Sequence, residues 1–160
     1  MPTKDLFHDI RITDLCVAGN QASVATAALF NSGTLGVDTS GYESTILLLE
    51  FSDISTGGQA YVFTLTENNT GTTTDGSAVA ITQCDAKVVD GNATFQAKIA
   101  AATAGKPFTM TGNADEEHLY AWEYTGDMRY VKLTATVGAQ AITPRMVAIQ
   151  SGQRRGPFLV

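Results

Sequence analysis

The stretch running from Glu117 to Gln140 constrains the fold more than any other. In Leu119–Tyr124, the aromatics Tyr120, Trp122 and Tyr124 alternate with Leu119, Ala121 and Glu123. In Tyr130–Val137, Val131, Leu133, Ala135 and Val137 alternate with Tyr130, Lys132, Thr134 and Thr136. A period of two places each set on its own face of a pleated strand. The short Thr125–Met128 link contains Gly126, and the pattern predicts a β-hairpin. Trp122, the only tryptophan of the chain, is expected in the core; the other reading is an exposed Tyr120/Trp122/Tyr124 platform for stacking sugars.

Other segments repeat the signal. Ser44–Ser52 carries Ile46, Leu47, Leu48 and Leu49 in succession, which predicts a central strand buried on both faces. Ala60–Thr66 places Tyr61, Phe63 and Leu65 on one face. Arg11–Val17, Ser23–Phe30 and Phe108–Met110 read as further strands. Pro144 predicts that Arg145–Gln150 is an edge or terminal strand. Asn92–Thr103 spaces Phe95, Ile99 and Ala102 for one short helix with Asn92 as cap, an irregular loop being the alternative. Seven to nine short strands separated by glycine-rich turns, without β-α-β alternation, predict an all-β protein, a β-sandwich or jelly-roll-like domain. At 160 residues one domain is expected, with an N-terminal arm over about 1–10 and a C-terminal tail over about 151–160.

Charge narrows the partners. Net charge is −6 and the isoelectric point near 4.7, which argues against a nucleic-acid-binding face. Seven of the ten basic residues follow Val89, so an acidic body carries a basic end. Only 16% of residues are charged, against about a quarter in ordinary soluble domains. Either a partner covers part of the surface, or the surface is rich in Thr, Ser, Asn and Gly. The chain contains no apolar run of membrane-spanning length, and MPTKDLFHDI has no signal-peptide core, so folding in a cytoplasm is expected. Cys16 and Cys84 lack metal-ligand spacing and are expected to be reduced thiols, with a disulfide left open.

Motifs for catalysis are missing. There is no G-x-S-x-G, P-loop, dinucleotide fingerprint or H-E-x-x-H, and His8 and His118 have no nucleophile beside them. Asp115-Glu116-Glu117 lacks the spaced oxygens of a calcium loop. No enzyme, cofactor or metal site is expected. The ends are apolar-tipped, with Leu6-Phe7 near the start and Phe158-Leu159-Val160 at the close. Such tails lie on their own domain or on neighbouring subunits, which favours a component of an assembly.

Three stretches carry a resemblance: Lys4-Asp5-Leu6, then Gly36-Val37-Asp38-Thr39-Ser40-Gly41-Tyr42-Glu43-Ser44, and Arg129 to Val137. Together with the basic Gly152–Pro157 segment, they resemble a family of small virion structural proteins of tailed bacteriophages, regarded as head decoration (cement) or minor capsid proteins. Thr70–Asn113 falls outside the resemblance. The resemblance implies a capsid decoration protein in the virion head, made in the host cytoplasm. It would bind the major capsid protein and copies of itself, and neither nucleic acid nor membrane. Head–tail joining or another tail-associated role is the structural alternative, and a carbohydrate-binding module the non-structural one. The residues expected to make assembly contacts are Asp5, Leu6 and Phe7 in the arm, Arg129 and Tyr130 at the turn shoulder, and Arg154, Arg155 and Phe158 in the tail.

Overall fold

The computed structural model describes residues 10–15, 36–52, 61–70, 76–89, 96–98, 103–110, 118–136 and 143–152. Their strands are β1 (Ile10–Asp14), β2 (Val37–Asp38), β3 (Ser44–Ser52), β4 (Tyr61–Asn68), β5 (Ser77–Ala78), β6 (Cys84–Val89), β7 (Gln96–Lys98), β8 (Phe108–Met110), β9 (Leu119–Tyr124), β10 (Tyr130–Thr136) and β11 (Thr143–Ser151), with a 3-10 turn over Ile81–Gln83. They form two sheets: β1-β11-β3-β9-β6-β7, and β2-β10-β4-β5 with β8 also on β4. All pairings are antiparallel. The all-β sandwich expected from the alternation is what forms.

Period-two patterning explains the core. From the six-stranded sheet, Leu47, Leu49, Tyr120, Trp122, Tyr124, Ala86 and Ala148 point inward; from the other come Phe63, Leu65, Val131, Leu133, Val37 and Met110. Burying a large apolar side chain contributes about 1.5–3 kcal/mol. The polar atoms taken inside with these groups find partners. The Trp122 indole N–H donates to the Lys106 carbonyl at 2.9 Å. Gln150, buried on the inner face of β11, donates to the Asp38 carbonyl at 2.7 Å. Without such acceptors, burial of these donors would be costly.

The predicted hairpin does not form. β9 pairs with β3 and β6 in one sheet, whereas β10 pairs with β2 and β4 in the other. Thr125–Arg129 is therefore a crossover between layers. Alternation fixes which face of a strand is buried and leaves its neighbour open. Gly126 serves close approach: a Cβ there would lie 2.6 Å from the Tyr124 ring.

Three further expectations are corrected. β3 is buried on one face only, since Thr45, Leu47 and Leu49 are covered while Ile46 and Leu48 are half-buried. β11 is the last of the described strands, in line with the terminal alternative, but it lies between β1 and β3 and is not an edge. Among the described residues, β1 pairs with Val147–Ser151 and the Leu15 N–H reaches the Met146 carbonyl at 3.0 Å, so Pro144 lies beyond the described ladder with β1. Within the predicted helix, Gln96–Lys98 is strand β7, paired with the end of β6. The β6 edge supplies hydrogen-bond partners there, and an isolated short helix is marginal. The remainder of Asn92–Thr103, apart from Thr103, lies outside the described residues, as does the predicted strand Ser23–Phe30.

A short segment ties the five-stranded sheet together. Leu65 N–H donates to the Gly105 carbonyl, Gly105 N–H to Val79 and Val79 N–H back to Leu65, at 2.9, 2.7 and 3.1 Å. Gly105 has φ +73°, and a Cβ there would lie 2.5 Å from the Thr64 methyl, so glycine alone fits this ring of bonds.

Candidate interaction surfaces

Two surfaces stand out, one at the loop end of the sandwich and one on the outer face of the larger sheet. The loop end is built by the turn between β2 and β3 and the crossover between β9 and β10. Asp38 closes the first turn: its carboxylate accepts from the Ser40 N–H at 2.9 Å, the Tyr42 N–H reaches the Thr39 carbonyl at 3.1 Å, and Gly41 supplies φ +88°. Gly36 allows β2 to lie close on β10, since a Cβ there would stand 3.1 Å from that of Tyr130.

The crossover then docks on that turn. Arg129 donates from Nε and Nη2 to the Asp38 carboxylate at 3.2 and 3.0 Å, and its guanidinium lies 5.0 Å from the Tyr130 ring centroid. The Arg129 bond, helped by the Ser40 N–H, holds the Asp38 carboxyl down at about 2. The Thr39 hydroxyl bonds the Met128 and Arg129 carbonyls at 2.8 and 3.0 Å. Tyr124 completes the arrangement, its hydroxyl donating to Glu67 at 2.6 Å and accepting from the Met128 N–H at 2.9 Å. Burial, reinforced by Glu67, pushes this phenol far above its ordinary range, so it stays a neutral donor. Between the two loops lies an open basin of about 290 Å³.

Arg129 is exposed and Tyr130 half-buried at the start of β10; the shoulder expected of a hairpin is here the end of a crossover between sheets. The Arg129 charge, however, is already committed to Asp38. Asp5, Leu6, Phe7, Arg154, Arg155 and Phe158 lie outside the described residues. The aromatic stripe is core: Tyr120 and Trp122 are 0% exposed and Tyr124 2%, which removes the stacking platform that a sugar-binding reading requires.

The outer face of the six-stranded sheet is the surface that sequence reasoning missed. The pleat turns Ile46 and Leu48 of β3, Val147 and Ile149 of β11, and Leu119 and Ala121 of β9 outward together, all half-buried. Ile12 of β1, opposite Ile149, is 70% exposed. A shallow hollow of about 250 Å³ lies over Ile46, Leu48, Ala121 and Leu119, with Lys87 and Glu123 at its margin. The signal lies in the adjacent apolar residues of β3, whose succession predicts burial on both faces.

Chemistry of other kinds finds less footing. Among the described residues, no group of three or more His, Cys, Asp or Glu is placed to hold a metal ion. Cys84 is a buried free thiol whose Sγ lies 3.5 Å from the Ala80 carbonyl, and burial pushes its pKa up, away from the reactive thiolate. Comparison of the chain with family models, with curated proteins and with solved structures found no match.

Proposed function

We propose that this chain is a structural protein of a tailed-phage virion: a capsid decoration protein that binds the assembled head as an oligomer and stabilises it. The observation that carries the reading is the outer sheet face, where Ile46, Leu48, Val147, Ile149, Leu119 and Ala121 are only half-buried and Ile12 is 70% exposed. A contiguous apolar patch left partly open to solvent is a surface of the kind that marks protein–protein contact. The tailed-phage assignment comes from the sequence resemblance; two of the stretches that carry it contribute Asp38 and Arg129, which pair at 3.0 Å.

The mechanism is linkage. A protein that binds only the assembled shell adds its binding free energy to that state, about 2.7 kcal/mol per site at a free concentration one hundred times the dissociation constant. Purified chain added to shells that lack it is expected to pellet with them saturably and raise their heat resistance. Phe7→Ala, or deletion of Gln153–Val160, is expected to abolish pelleting while the chain stays soluble and folded by circular dichroism. Absence of pelleting by the unmodified chain would contradict the function. Loss of folding in either variant would contradict the assignment of the arm and tail to assembly.

A further inference from the structure

We draw no further inference here: the strongest candidate, the half-buried apolar outer face of the six-stranded sheet between Ile12 on β1 and Leu119 on β9, carries none because nothing in the structure shows what covers it.

Discussion

At the scale of single residues, the loop end depends on long-range partners. Arg129 and Asp38 are 91 positions apart, and nothing local in either stretch announces their pairing. Each stretch was legible alone: Asp38-Thr39-Ser40-Gly41 as a tight turn and Arg129 as a turn shoulder. Asp38 also gives a pH prediction. Its carboxyl is lowered from 3.8 to about 2, so the ionised form favours the folded state. The contribution is complete above pH 3.8 and is lost as the pH falls through about 2. Asp38→Asn is therefore expected to lower stability modestly at pH 6, with the difference from the unmodified chain closing between pH 4 and 2. The loss is small because the two side chains are 56% and 36% exposed. Urea unfolding at several pH values measures it, and a difference that widens toward pH 2 would refute the assignment.

Elements show what alternation can and cannot convey. The core faces of β4, β9 and β10 were readable because alternate positions carry the bulkier apolar set, and Phe63, Leu65, Trp122, Val131 and Leu133 are buried as that pattern requires. Strand partners were not readable: β9 and β10 are consecutive, yet belong to different sheets. Nor could β3 reveal that one apolar face is covered by the chain's own core and the other is not. Neighbouring leucines test that division. Leu47→Ala, at a site 0% exposed, is expected to cost about 2–5 kcal/mol. Leu48→Ala, on the half-buried outer face, is expected to cost less than about 1.5 kcal/mol in the monomer, since little cavity is left and solvent already reaches the site. Thermal unfolding of the isolated chain measures both, and equal losses would mean that the outer face is covered within one copy.

For the whole molecule, the two faces of the larger sheet differ in burial. One face of the larger sheet packs against the smaller to make the core, which holds Trp122 and the neighbouring tyrosines. The other face leaves Ile46, Leu48 and Ile149 half-buried and Ile12 exposed. The sandwich was legible because core formation leaves a period-two imprint on strands such as β4, β9 and β10. The half-buried outer face was not, because an apolar residue on that face has the same sequence signature as one turned toward the core. The central claim, a decoration role, concerns stoichiometry, so counting copies tests it most directly. Purified particles, with this chain quantified against the major shell protein by calibrated mass spectrometry, are expected to give a ratio near one to one or a simple fixed fraction of it. A handful of copies per particle, or none, would contradict the decoration role.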